Sequence, residues 1–219
     1  MLRWLFRPQC AACGALSDEP LCDACLLSLV ELGDACERCA QPGKLVCSRC
    51  VHEPLPLERI VAPWRFGGAL AIAIRRLKFT GATHIARTVA PLWAPLLAAA
   101  VAETEGIVVP VPLHWRRRLQ RGFDQTWLLA RHACALAGIA RPVCALRRLY
   151  AAPPQSTLPA IDRAANVEGV FASRRAVAGR AVVLIDDVVT TGSTLAAAAA
   201  ALREAGATRI IGVALARAE

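Results

Sequence analysis

Two adjacent carboxylates, Asp186 and Asp187, follow four apolar residues and precede a hydroxyl-rich stretch: Val182-Val-Leu-Ile-Asp-Asp-Val-Val-Thr190-Thr191-Gly192-Ser193-Thr194. The apolar run predicts a buried strand, 181–185, that delivers both carboxylates at its carboxyl end. Ligands of open α/β sheets bind at that edge. A short loop that opens directly into a helix aims backbone N–H groups at a phosphate, and the helix N-terminus favours its negative charge. Gly192 permits close approach, and the hydroxyls of Thr190, Thr191, Ser193 and Thr194 add donors. Two carboxylates beside such a cradle would repel a bare phosphate. They suit a ligand that also presents hydroxyls, as a ribose does. The plainer alternative is a strand, a helix cap and a turn.

A second set of reactive residues lies at the other end of the chain. Eight of the ten cysteines form four Cys-x-x-Cys pairs: Cys10/Cys13, Cys22/Cys25, Cys36/Cys39 and Cys47/Cys50. Two sulfurs separated by two residues grip one metal from a tight turn, and two such turns complete a tetrahedral shell. Shorter loops close at lower entropic cost, so sequential pairing is favoured over a cross-braced one. Cys10, Cys13, Cys22 and Cys25 would hold one ion, and Cys36, Cys39, Cys47 and Cys50 the other. With four sulfurs per ion, no position is left open for catalysis. Structural zinc is preferred over iron–sulfur clusters or disulfides. The segment has too few large apolar side chains to fold alone, so metal would supply its folding energy. Cys134 and Cys144 lie among apolar residues and read as buried, inert thiols.

A third set is basic. Val109-Pro-Val-Pro-Leu-His114 leads into Arg116, Arg117, Arg118 and Arg121, with Trp115, Phe123 and Trp127 interleaved. Guanidinium forks match phosphate oxygens, and aromatic rings can stack on bases, so pyrophosphate and single-stranded nucleic acid are both candidate ligands. The competing reading is a solvated basic loop with its aromatics in the core. His114 by itself reads as a hydrogen-bonded loop residue. Arg147, Arg148, Arg174 and Arg175 read as solvated faces, and Lys78 as a helix C-terminal charge.

The elements that must position these groups alternate. An extended segment is expected over 59–66, helices over 68–79, 83–102, 124–137 and 194–205, and strands over 107–111, 181–185 and 208–214. Strand–helix alternation argues for a parallel α/β sheet. Residues 151–168 show no regular pattern; Gln155, Arg163 and Asn166 there could form a cover over a ligand, or a plain surface loop. The chain is expected to divide near Pro54 and Pro56 into a cysteine-rich domain, 1–55, and an α/β domain, 56–219. Of 219 residues, 56% are hydrophobic and 20% charged, which excludes a wholly disordered chain. The formal charge is +9. Two zinc ions with four thiolates each contribute −2 apiece, which lowers +9 to +5. A positive balance suits phosphate-rich ligands, or simply a soluble surface. Arg3 and Arg7 interrupt the N-terminal apolar run, and no ~20-residue apolar span is evident. Cytoplasmic location without membrane insertion is expected, with thiols kept reduced.

The stretch 182–194 resembles the phosphoribosyl pyrophosphate (PRPP) signature of type I phosphoribosyltransferases. Val109 to His114, Arg116 to Arg118, Arg121-Gly-Phe-Asp124-Gln125, and Pro154-Gln155 through Leu158, Arg163, Asn166 and Phe171 are similar to blocks of the ComF family. That family joins a cysteine-rich zinc ribbon to a phosphoribosyltransferase-like domain. The resemblance spans nearly the whole chain, and departs at Asp124, where Asn is usual. It implies that Asp186 and Asp187 address the ribose 2′- and 3′-hydroxyls and that Thr190 to Thr194 hold the 5′-phosphate. It also implies a role in the uptake of single-stranded DNA during natural competence, alongside other competence proteins. A second expectation is catalytic phosphoribosyl transfer to an unknown acceptor, with magnesium on the leaving pyrophosphate. No general base for that reaction stands out.

Overall fold

The computed structural model describes residues 8–150, 169–174 and 177–218. The sequence-predicted cover, 151–168, lies outside them. In chain order the elements are α1 (Asp23–Leu27), α2 (Ser48–His52), β1 (Arg59–Val61), β2 (Trp64–Arg65), α3 (Gly68–Phe79), α4 (His84–Thr104), β3 (Ile107–Pro110), α5 (Trp115–Arg121) and α6 (Gln125–Leu136). They continue with β4 (Leu146–Arg148), β5 (Phe171–Ser173), β6 (Ala181–Val189), α7 (Ser193–Glu204) and β7 (Arg209–Arg217). The central sheet runs β1-β7-β6-β3, with β2 pairing further along β7, and every pairing in it is parallel. This is the α/β architecture expected.

Because side chains alternate across a strand, β6 feeds two cores. Val183 and Ile185 join α3, α4 and α6 on one face. Val182 and Leu184 join α7, Leu146 and Phe171 on the other. Each helix turns a stripe to the sheet: Leu70, Ala73, Ile74 and Leu77 on α3 recur at the i, i+3, i+4, i+7 spacing of a single helical face. α4 runs through Pro91 and Pro95, and buries Ile85, Val89, Trp93 and Leu97. By length and composition this helix could cross a membrane. Its buried face against α6 and the sheet makes it a core helix.

Three elements differ from expectation. β6 extends to Val189, because β7 remains in register with it as far as Val189↔Arg217. The arginine-rich stretch after β3 is a short helix, α5, rather than a loop. β4 and β5 form a separate antiparallel pair, too short and too far apart in sequence for any local pattern to reveal.

Candidate functional site

β6 lies between β3 and β7, and its carboxyl end carries the candidate ligand loop. Gly192 is the N-cap of α7 at φ +80°, the left-handed region that glycine enters without strain. A Cβ at Gly192 would sit 3.2 Å from Ile60 Cδ1, so both backbone shape and space select glycine there. Thr191 Oγ1 accepts the Ser193 N–H at 3.3 Å and shares a 2.8 Å hydrogen bond with Ser193 Oγ. These contacts curl residues 191–193 into a tight turn ahead of the helix.

Asp186 and Asp187 sit within the extended strand, three and two residues short of its end at Val189, and not just beyond it as the sequence predicts. Alternation therefore sends their side chains to opposite faces. Asp187, 4% exposed, faces α3, where Lys78 Nζ lies 2.7 Å from its Oδ2. Asp186 is half-buried on the other face, and its Oδ1 accepts the Asp187 N–H at 2.9 Å. Burial, and then the Asp187 charge, push the Asp186 carboxyl up to about 7, against the opposing pull of Lys78 and Arg148. A carboxyl that titrates near neutrality can accept or donate a hydrogen bond, as a sugar hydroxyl requires.

Lys78 and Arg148 are the residues that sequence reasoning missed. Lys78 does end a helix, but the folded chain sets that end against β6. Arg148, read as a solvated face, is half-buried with its guanidinium 5.3 Å from the Phe171 ring. Burial and the nearby Arg117 charge pull its pKa down, while Asp186 holds it up. It therefore faces the candidate site rather than open solvent. No local pattern marks either residue, because both contacts depend on the packing of distant elements.

The loop after β3 lies beside this site, since Pro110 pairs with Ile185 and Val111 N donates to the Ile185 carbonyl at 2.9 Å. His114 is buried; its Nδ1 accepts the Arg116 N–H as the N-cap of α5. Arg116, Arg117 and Arg118 are exposed, whereas Arg121 is half-buried. Arg121 donates to Gln125 Oε1 at 2.9 Å and rests 5.3 Å from the exposed Phe79 ring. Trp115 is exposed, and Phe123 and Trp127 are half-buried. Asp124 caps α6: Oδ1 accepts the Trp127 N–H at 3.1 Å, and Oδ2 the Leu113 N–H at 2.9 Å. Both carboxylate oxygens are used as acceptors, which the amide of Asn cannot reproduce.

The cysteines group in the sequential arrangement. Cys10, Cys13, Cys22 and Cys25 form one set, and Cys36, Cys39, Cys47 and Cys50 the other, with the sulfurs of each set within 4.8 Å of one another. Sulfur separations of 3.7 Å (Cys13–Cys22) and 3.6 Å (Cys39–Cys47) match the edge of a tetrahedron with Zn–S bonds of about 2.3 Å. Burial pushes the Cys10 thiol up, but N–H donors of Cys22, Cys13 and Ala12 outweigh it and bring the pKa to about 6. Cys36 is held at about 6 in the same way. Burial pushes Cys25, Cys39 and Cys50 the other way, above the usual thiol range, so it is the four-sulfur geometry of each set that fits a metal ion, consistent with zinc ribbons. Cys134 is buried and its thiol is raised to about 11, hence inert at neutral pH. Cys144 is exposed, contrary to expectation, because its neighbours Val143 and Ala145 take the inward positions.

Both cysteine sets are fastened to the α/β unit. Arg76 of α3 donates to the carbonyls of Ala11 and Ala12 at 3.0 Å each and to that of Cys10 at 3.4 Å. Arg217 at the end of β7 donates to the Cys39 carbonyl and to Gln41 Oε1. Leu32 N donates to the Pro63 carbonyl and Arg65 N to that of Val30, so residues 30–32 cover the open edge at β2.

The phosphoribosyl transferase domain family matches residues 151–219. The chain is 33% identical over 195 residues to the DNA utilization protein YhgH of Salmonella typhi, covering 85% of this chain and 84% of the relative. It is 28% identical over 183 residues to Competence protein F of Haemophilus influenzae, covering 78% of each. Against Competence protein ComFC of Bacillus subtilis it is 28% identical over 122 residues, 52% of this chain and 51% of the relative.

Proposed function

Because the chain belongs to the ComF family, we propose that it binds PRPP, or a related phosphorylated ribose or nucleotide, at the end of β6 and serves the handling of single-stranded DNA in natural competence. The carrying observation is the joint placement of Asp186, Asp187 and the Thr190–Thr194 turn at the carboxyl edge of the parallel sheet, with the N-terminus of α7 behind the turn. In this reading Thr190, Thr191, Gly192, Ser193 and Thr194 take the 5′-phosphate through backbone N–H and hydroxyl donors. Asp186 and Asp187 address the ribose hydroxyls from the two sides of the strand. His114 shapes the start of α5, and Arg116, Arg117, Arg118 and Arg121 face pyrophosphate or a DNA backbone. Residues 1–55 form the metal-binding unit, with a structural zinc ion in each cysteine set, and 56–219 the ligand-binding unit. Reduced thiols of this kind fit the cytoplasm. The named DNA-utilization and competence relatives support the cellular role and make other competence proteins its natural partners.

Phosphoribosyl transfer with magnesium is the second reading, favoured by the phosphoribosyl transferase match. An incoming nucleophile would attack the anomeric carbon as the C–O bond to pyrophosphate breaks, and Mg2+ would take up charge on the leaving group. The protein would stabilise the oxocarbenium-like state electrostatically, with the Asp186 and Asp187 carboxylates close to the positive charge.

Calorimetry with PRPP and magnesium on the wild type and Asp187→Asn, alongside titration with single-stranded DNA, tests the proposal. PRPP heat should vanish in the variant while DNA binding persists. A wild type that ignores PRPP and ribose 5-phosphate would sink the ligand assignment, and no DNA binding at moderate salt would sink the direct nucleic-acid role.

A further inference from the structure

The second cysteine set touches the candidate phosphate loop itself. Arg49 lies between Cys47 and Cys50 on α2, and its Nη1 donates to the Thr191 carbonyl at 2.5 Å. In a planar trans peptide the C=O and the following N–H point in opposite directions. Holding the Thr191 carbonyl toward the ribbon therefore turns the Gly192 N–H away from it, at the N-cap of α7.

Two further contacts come from the same cysteine set. Ile60 N donates to the Arg38 carbonyl at 2.9 Å, and the Ile60 side chain lies against Gly192. Arg217, 2% exposed, holds the Cys39 carbonyl and pairs in register with Val189, the residue before Thr190. A tetrathiolate zinc site carries −2, and Arg49, between Cys47 and Cys50, and Arg217, on the Cys39 carbonyl, would offset part of that charge. α2 is five residues long and buries only Cys50, so little besides a metal holds Arg49 in place.

We infer that the metal-loaded second cysteine set is part of the phosphate-binding apparatus, with Arg49 as the positioning residue that sets the Thr191–Gly192 peptide. The inference rests on the reading that residues 190–194 hold a phosphorylated ribose. Metal occupancy then governs ligand affinity through the ribbon, without any metal contact to the ligand.

The test uses the full zinc-loaded chain as wild type, Arg49→Ala and Arg49→Lys. Zinc content, hydrogen exchange of the amides at 190–194, and calorimetric affinity for ribose 5-phosphate are measured on each. Arg49→Ala should keep two zinc ions, exchange faster at 190–194 but not in β3, and bind ribose 5-phosphate about fivefold more weakly, the loss of one charge-assisted hydrogen bond at an exposed position. Arg49→Lys should recover part of both effects. Chelation of zinc from the wild type should speed exchange at the same amides. Arg49→Ala that keeps its zinc and exchanges at the wild-type rate overturns the inference. Should that variant shed zinc, Arg49→Gln takes its place under the same criterion. A wild type that binds no ribose 5-phosphate removes the proposed function instead, and the exchange comparison alone then decides the coupling.

Discussion

Asp186 and Asp187 are chemically identical and sit in different surroundings. Asp187 has an ammonium partner in Lys78; Asp186 is pushed up to about 7 by burial and by its neighbour's charge. Its unfolded value is about 3.9. Between those values the folded state holds a proton that the unfolded chain has released, so stability falls as pH rises from about 4 to about 7 and stays lowered above that. Asp186→Asn cannot ionise. It should melt above the wild type at pH 8, with the gap closing toward pH 4, and each kcal/mol corresponds to about 2–4 °C in a chain of this size. Equal melting temperatures at pH 8 would refute the assignment. Asp124 supports a different expectation. Its two oxygens accept the N–H groups of Leu113 and Trp127, tying the loop after β3 to the start of α6. Asp124→Asn turns an amide NH2 toward one of those donors and should cost about 1 kcal/mol in urea denaturation. That loss should appear even though Asn is the usual family residue, because Asn can make only one of the two bonds.

The elements show where local pattern suffices and where it does not. α3 was legible to the residue because Leu70, Ala73, Ile74 and Leu77 form one helical stripe and basic residues end it. The metal-ligand sets were legible because paired thiols at short spacing admit few other readings. The end of β6 was not, since two aspartates look like a strand terminus until β7 supplies hydrogen-bond partners as far as Val189. Lys78, Arg148 and Arg49 were illegible as site residues for the same reason: each meets its neighbour across a long stretch of sequence. Arg76 is another such long-range contact, and it gives the ribbon its own test. By holding three carbonyls of the first cysteine turn, it fixes the backbone that presents Cys10 and Cys13. Arg76→Ala should leave the total zinc content at two ions but speed zinc loss to a chelator from one site only. Biphasic release in the variant and a single slow phase in the wild type, followed with a chromogenic chelator, is the expected result.

On the scale of the molecule, the excess positive charge is unevenly committed. Arg59 and Arg209 are paired with Glu103 and Glu58 at one end of the sheet. Arg76, Arg203 and Arg217 are bound to backbone carbonyls. On α5, by contrast, Arg116, Arg117 and Arg118 are exposed, beside Trp115 at 55% exposure and near the Arg121-capped Phe79 at 74%. On the proposed DNA-binding reading, exposed rings among exposed guanidiniums would divide the work of holding a single strand. Charge neutralises phosphates and releases counterions, whereas rings stack on bases with little dependence on salt. The two contributions separate in one experiment. Replacing Arg116, Arg117 and Arg118 by Ala should flatten the slope of log affinity against log salt by about 2, from ~0.7 per single-strand phosphate contact. Trp115→Ala should weaken binding by about 1–3 kcal/mol and leave the slope unchanged. Fluorescence anisotropy with an oligodeoxythymidine over a salt series reads both. If both variants keep the wild-type line, α5 is not the DNA face, and its arginines are left to pyrophosphate at the neighbouring site.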